Sequence, residues 1–216
     1  MKLLLGDALA PTTSTIGFFE TSVERLTRAF VEWQSHISKP QGVEVTEQAI
    51  SGSLEEVLSR LRPLTGARRT RYLLLPTAGE WVAFFDNGAA GTDATSVCIY
   101  LSRTLSCRAL RLTAIPHEHV VDRGRYGACT LELFGPGGGP LGYLRAISVV
   151  NDGGSWAFDQ TGPPLPFEKV ENYKRRKITE RFTCEDLRDY AGALGVRPFD
   201  EDFFRPRNAR LVEIGS

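Results

Sequence analysis

Two stretches of this chain repeat one pattern: RYLLLPTAGEWVAFFDNG, from Arg71 to Gly88, and RAISVVNDGGSWAFDQTG, from Arg145 to Gly162. Each passes from an apolar run through a glycine-containing turn to a second run that contains Trp, Ala, Phe and Asp. Two apolar runs around a short turn are typical of a β-hairpin. The repeat therefore indicates either one kind of hairpin used twice or a duplicated binding site.

Side-chain alternation along a strand sorts the residues of both stretches onto two faces. In the first stretch Trp81 and Asp86 fall on opposite faces. In the second, Trp156 and Phe158 share a face and Asp159 falls on the other. The likeness ends outside the two stretches. We therefore interpret it as convergent hairpin design, with the aromatic faces in the core.

The remaining elements follow from hydrophobic spacing and capping patterns. Helices are predicted over 22–38 and from Ser53, from Thr92 or Asp93, and from Thr183; strands are predicted over 43–50, 71–75, 81–86, 109–115, 126–134, 143–150 and 156–159. From position 43 the order is strand, helix, strand, strand, helix, strand, which is the element order of a ferredoxin-like βαββαβ unit. The last three strands form a β-meander, and helices follow it.

The predicted fold is a single α+β domain over 1–216, with a mostly antiparallel sheet and helices packed on one side. The last three predicted strands are joined by short Gly-rich connections, which favour antiparallel pairing. If the chain has an internal seam, it lies near 117–125, where the character of the sequence changes.

Composition places the chain among ordinary globular proteins and gives it no overall charge. Hydrophobic residues make up 42% and charged residues 24% of the sequence, and 26 Lys and Arg balance 26 Asp and Glu. A chain without net charge has no global field that recruits nucleic acid or an anionic membrane. No segment approaches the roughly 18 apolar residues of a membrane-spanning helix. We therefore expect neither nucleic acid nor a membrane as the main partner.

Two features predict a cytoplasmic protein. The opening segment MKLLLGDALAP is too short and too interrupted for a signal peptide. The four cysteines, Cys98, Cys107, Cys129 and Cys184, are scattered and include no C-x-x-C pair. In a chain of this length that pattern favours free thiols in a reducing cytosol over a disulfide framework.

Acidic residues around the two hairpins are the candidate catalytic groups. Asp86, Asp152 and Asp159 border the hairpin strands, and the motif PHEH contributes His117 and His119. Carboxylates and imidazoles carry out general acid–base catalysis when they converge in one pocket. A small hydrolase-like enzyme is therefore one alternative. Ordinary turn chemistry explains the same aspartates, and two neighbouring histidines fall short of a zinc site, so we expect no metal.

One dense basic run, KRRKITER, extends from Lys174 and includes Arg175 and Arg176. Such a run can bind phosphates or an acidic protein surface. No pattern of aromatic residues for base stacking accompanies it, and acidic residues are interleaved with it. Nucleic-acid binding through this run is the second alternative.

We predict that the chain is a non-enzymatic protein-binding module of an immunity or regulatory kind, with another protein as its partner and no cofactor. The support is the lack of a catalytic motif such as G-x-S-x-G, the balanced charge and the two aromatic-rich hairpins. In general character the chain looks like the small α+β immunity and accessory proteins of bacterial genomes. The candidate binding residues are Asp86, Asp152, Trp156, Asp159, His117, His119, Lys174, Arg175 and Arg176.

Overall fold

The computed structural model describes residues 3–65, 70–118 and 124–215. Over these residues the strands are β1 (Thr15–Glu20), β2 (Val45–Ile50), β3 (Thr70–Pro76), β4 (Trp81–Asp86), β5 (Ala109–Ile115), β6 (Ala128–Phe134), β7 (Tyr143–Asn151), β8 (Trp156–Thr161) and β9 (Ala209–Ile214). The α-helices in the same residues are α1 (Val23–Ser38), α2 (Leu54–Ser59), α3 (Thr95–Thr104) and α4 (Cys184–Ala193).

All nine described strands belong to one sheet, in the order β2-β9-β3-β4-β1-β5-β6-β7-β8, and every neighbouring pair is antiparallel. The prediction of a mostly antiparallel α+β fold with a terminal β-meander is confirmed. The ferredoxin-like arrangement is not found, because β9 lies between β2 and β3 and β1 lies between β4 and β5. Neither inserted strand was predicted.

Helices cover both faces of the sheet, so the prediction of helices on one side is wrong. Buried residues of α1 and α3 form one core with one face of the sheet, and buried residues of α2 and α4 form a second core on the other face. The cause lies in the central strands: β4 is buried at every position, and a strand that is apolar on both faces needs cover on both. None of the helices in the described segments is long and apolar enough to cross a membrane.

The two repeated stretches are two hairpins of the same sheet, β3–β4 and β7–β8. Trp81 belongs to the core that α2 and α4 cover, and Trp156 and Phe158 pack against that same core. The predicted division of the faces is therefore confirmed. The two hairpins differ in position, since β4 lies inside the sheet and β8 at its edge.

Of the segment predicted as an internal seam, 117–125, residues 119–123 lie outside the described residues, and the segment connects two paired strands. β5 and β6 pair along their whole length, from Ala109 opposite Phe134 to Ile115 opposite Ala128. Glu118 and Arg125 continue the pairing as an isolated bridge and form an ion pair of 3.1 Å. The extent of the domain stays a prediction.

A disulfide connects the sheet to α4. Cys129 of β6 is bonded to Cys184, the first residue of α4, where Thr183 and Asp186 form a capping box. The prediction that all four cysteines are free is therefore wrong for this pair, although Cys98 and Cys107 are free and buried. The two bonded cysteines are 55 residues apart in sequence, and a spacing of that length carries no signal of proximity.

We expect Cys184→Ser to lower the free energy of unfolding by about 2–4 kcal/mol, because the disulfide restricts a loop of 55 residues in the unfolded chain. Urea denaturation followed by Trp fluorescence measures the change. A dithiol reductant should bring the wild-type protein to the stability of the variant and leave the variant unchanged. Equal stabilities of the two proteins without reductant contradict the bond.

Candidate functional site

The residues predicted as a site fall in two separate regions of the sheet. Asp86 ends β4, whereas Trp156 and Asp159 belong to β8, five strand spacings away. At about 4.8 Å per spacing, that separation is about 24 Å. His119 lies outside the described residues. The convergence that an enzyme with Asp86 and Asp159 requires is therefore not found.

Asp86 holds the loop that follows β4. Its carboxylate accepts hydrogen bonds from the N–H groups of Gly88, at 2.8 Å, and Asp93, at 2.9 Å, and its own N–H donates to Thr92 Oγ1. Burial raises the pKa of Asp86, against the lowering effect of those two backbone donors. The geometry accounts for Asp86 as a structural residue of this loop.

His117 and Trp156 lie together at one end of the β7–β8 hairpin. Their ring centroids are 5.1 Å apart, and His117 Nδ1 accepts the N–H of Gly127 at 3.2 Å. A Cβ atom added at Gly127 would lie 2.7 Å from His117 Cβ and 2.7 Å from Trp156 Cη2. Only glycine therefore fits at this position. In the described part of the chain no three His, Cys, Asp or Glu residues are grouped as metal ligands.

Asp152 has the role of an ordinary turn residue. Its carboxylate accepts the N–H groups of Ser155, at 3.1 Å, and Gly154, at 3.0 Å. These two donors lower the pKa of Asp152. The turn connects β7 to β8. Of the elements that carry the predicted site residues, β8 is the one with an accessible backbone edge.

Among the described residues β8 is the last strand of the sheet and pairs with β7 alone. The Asn151 N–H donates to Gly127 O on the β6 side of β7, and alternate residues of a strand face alternate neighbours. The register then leaves the N–H and C=O groups of Phe158 and Gln160 directed away from the sheet. No backbone bond to these groups is formed by the residues that the structure describes. With respect to the described part of the chain, the outer edge of β8 is therefore a row of backbone donors and acceptors without backbone partners.

The side chains of β8 differ between its two faces. Asp159 is exposed on the face that α1 and α3 cover farther along the sheet, and it has no ion-pair partner among the described residues. Trp156 and Phe158 are half-buried on the opposite face. The edge thus combines open backbone, a carboxylate on one side and aromatic rings on the other.

Basic residues flank β8 on its aromatic face. The guanidinium of Arg181 lies 5.6 Å from the Phe158 ring, and its Nε donates to the carbonyl of Arg175. The Tyr173 ring lies 5.3 Å from Phe158 on the same face, and further basic residues follow Tyr173 in the sequence. We call this set the basic ridge; its members are Lys174, Arg175, Arg176, Lys177 and Arg181.

Part of the basic ridge is paired internally. Glu180 forms ion pairs with Lys177, at 3.2 Å, and with Arg175, at 3.9 Å. Lys174 and Arg176 are exposed and form no ion pair with any described residue. Arg181, which lies over Phe158, also forms no ion pair with any described residue, so positive charge remains beside the edge strand.

A buried arginine fixes the end of β8. Arg145 of β7 is 1% exposed, and its Nε and Nη2 donate to Glu168 at 2.8 and 2.7 Å. Nη1 donates to the carbonyls of Thr161 and Gly162, and Nη2 also donates to Gln160 Oε1. All five N–H donors of the guanidinium are therefore used.

Glu168 completes this network from outside the sheet. Its carboxylate also accepts the Leu165 N–H and the Tyr173 hydroxyl, each at 2.8 Å. Burial alone would raise the pKa of Glu168, but the hydrogen bonds from Arg145, Leu165 and Tyr173 outweigh it, so the pKa lies below its usual value. The network joins β7, the end of β8 and the segment that leads into the basic ridge.

Sequence reasoning missed this ion pair, although one signal was present. Arg145 has the same strand parity as Ile147 and Val149, which both face the core. An arginine at an inward position requires a buried acidic partner. The identity of Glu168 as that partner was not accessible, because it lies in an irregular segment 23 residues away.

No family model, no curated protein and no solved structure matches the chain. The site is therefore interpreted from its geometry. The class that the fold defines is an antiparallel α+β protein with helices on both faces of its sheet. The candidate site in this fold is the outer edge of β8, whose aromatic side chains are half-buried.

We expect Glu168→Gln to lower the free energy of unfolding by about 3–5 kcal/mol, because it leaves the Arg145 cation buried without a counter-charge. The lowered pKa means that the carboxylate's contribution is present above its unfolded value of about 4.3 and is lost as the pH falls through the folded value. The acid-induced loss of stability should therefore be smaller in the variant.

Glu171→Gln is the matched control, since Glu171 is exposed and three residues farther along the chain. Urea denaturation between pH 3 and pH 7 measures both effects. Glu168→Gln and Glu171→Gln with the same stability at neutral pH would contradict a structural role of the pair.

Proposed function

We propose that the protein is a non-enzymatic protein-binding module that accepts an extended segment of its partner beside β8. The observation that carries the proposal is the outward-directed backbone of Phe158 and Gln160 on an edge strand with exposed side chains. Addition of a strand to an open sheet edge supplies main-chain hydrogen bonds for affinity and alternating side-chain contacts for specificity.

The opposite edge of the sheet is a poorer site for the same kind of binding. β2 carries exposed polar side chains, and Glu47 at its middle already pairs with Arg210 of β9 at 3.2 Å. No aromatic residue belongs to β2, whereas β8 places Trp156 and Phe158 beside its open backbone. An incoming strand therefore gains aromatic contact at β8 and none from β2.

A module without catalytic groups acts on its partner by occupying it, which is how immunity-type and regulatory proteins work, and the proposal includes that role. A cytoplasmic location is also part of the proposal. The bond between Cys129 and Cys184 removes one argument for that location, since disulfides are rare in reducing compartments. Thiol alkylation and mass measurement of protein extracted from its host test the redox state directly.

The two alternatives have less support from the geometry. The hydrolase-like alternative uses Asp86, Asp152 or Asp159 with His117 or His119 and gains support if Asp86, His117, Asp152 and Asp159 converge. Asp86 lies about 24 Å from Asp159 across the sheet, so the full set does not converge. Nucleic-acid binding needs a basic surface free of negative charge, whereas Glu180 lies within the basic ridge. Binding that weakens steeply with salt and needs no β-forming partner would favour the nucleic-acid alternative.

A labelled nine-residue peptide of alternating Thr and Val tests the edge directly. We expect fluorescence anisotropy to detect binding, and N-methylation of two alternate amides on the side that faces β8 to weaken it at least about tenfold, because each methyl group removes one hydrogen bond. Equal affinity of the methylated and unmethylated peptides contradicts strand addition.

Gln160→Pro is the corresponding change in the protein. The Gln160 N–H is directed outward, so proline removes a donor needed by the partner without breaking a bond to β7. Gln160→Ala is the matched control, because both variants lose the hydrogen bond from Arg145 to the Gln160 side chain. Only the proline variant should lose the peptide.

A further inference from the structure

The two sides of the β8 edge carry opposite charge. Asp159 is exposed on one face of the strand. On the other face Arg181, a member of the basic ridge, lies over Phe158, and the Tyr173 ring contacts the same residue. An incoming strand therefore meets a negative charge on one side and positive charges on the other.

Strand geometry converts this arrangement into a sequence pattern. In an antiparallel pair, residues directly opposite each other point to the same face, and consecutive residues point to opposite faces. The partner residue opposite Asp159 lies beside the carboxylate. The partner residues opposite Phe158 and Gln160 lie on the side of the basic ridge.

We infer that the segment bound beside β8 contains a Lys or Arg opposite Asp159, flanked on each side by Asp or Glu that face the basic ridge. This inference rests on the proposed strand addition at β8. It names the partner as an extended peptide segment with alternating charge, rather than a uniformly acidic or basic one.

Two other occupants fit the same edge poorly. In an antiparallel pair of two copies centred on Asp159, the two Asp159 carboxylates would lie directly opposite each other, and like charges at that position oppose pairing. Nucleic acid supplies only negative charge, so it would match the basic ridge and place phosphates near Asp159. Both occupants remain as measurable outcomes.

Four labelled nine-residue peptides with identical Thr and Val flanks test the inference. Their central triplets are Glu-Lys-Glu, Glu-Glu-Lys, Glu-Glu-Glu and Thr-Thr-Thr. We expect the Glu-Lys-Glu peptide to bind wild-type protein about tenfold more tightly than the Thr-Thr-Thr peptide. The Glu-Glu-Lys peptide has the same composition and should bind more weakly, which separates charge order from net charge.

Asp159→Lys provides the reciprocal change in the protein. Because Asp159 is exposed, the variant should keep the wild-type thermal melt. Wild-type protein should prefer the Glu-Lys-Glu peptide over Glu-Glu-Glu, and Asp159→Lys should reverse that order. Unchanged preference in the variant overturns the assignment of Asp159.

The outcomes distinguish the inference from the proposal on which it depends. If the four peptides bind equally and N-methylation still abolishes binding, the edge proposal stands and the charge pattern is wrong. If none of them binds, both are wrong. If wild-type protein prefers the Glu-Glu-Glu peptide, the site binds anions in general and the inference is wrong. If light scattering shows that the free protein is a dimer, the occupant of the edge is a second copy of the chain.

Discussion

The buried ion pair between Arg145 and Glu168 is the interaction on which the candidate site depends. Removal of two charges from water costs several kcal/mol for each ion, and this cost is offset only when every remaining donor and acceptor is used. Here all five guanidinium donors are occupied, and the carboxylate also accepts from Leu165 and Tyr173. Since Tyr173 contacts Phe158, the same network sets the position of the basic ridge relative to β8.

The two similar hairpins show that neighbouring elements, more than local sequence, decide the role of a strand. Trp81 and Phe85 of β4 and Trp156 and Phe158 of β8 face the same core, and the aspartate of each strand lies on the other side. β4 is enclosed between β3 and β1, so its aspartate is buried and holds a loop. β8 has one neighbouring strand among the residues that the structure describes, and its aspartate is exposed. The repeat is therefore evidence about the fold, and the difference in surroundings is evidence about function.

Local patterns predicted local structure well: the bounds of β4 and β5 match the expected segments, and the helix expected from Ser53 is α2, with Ser53 as its N-cap. Long-range pairing was not predictable. β1 and β9 enter the sheet between strands that are distant from them in sequence, and an amphipathic helix does not reveal which sheet face it covers. The same limit applies to the site. Asp159 and the basic run were each identified from the sequence. That both lie at the β8 edge, on opposite faces, follows only from the contacts of Phe158 with Tyr173 and Arg181.

At the exposed edge of β8, the same charge opposes unwanted strand pairing and selects the partner. Soluble proteins commonly place a charge at the middle of an edge strand, because an unpaired strand otherwise pairs with any other strand, including its own copy. On β2 the charge of Glu47 is already neutralised by Arg210. On β8 the charge of Asp159 has no such partner among the described residues. A segment that pairs with β8 must therefore supply the missing cation, and the charge that opposes unwanted pairing becomes the one that selects the partner.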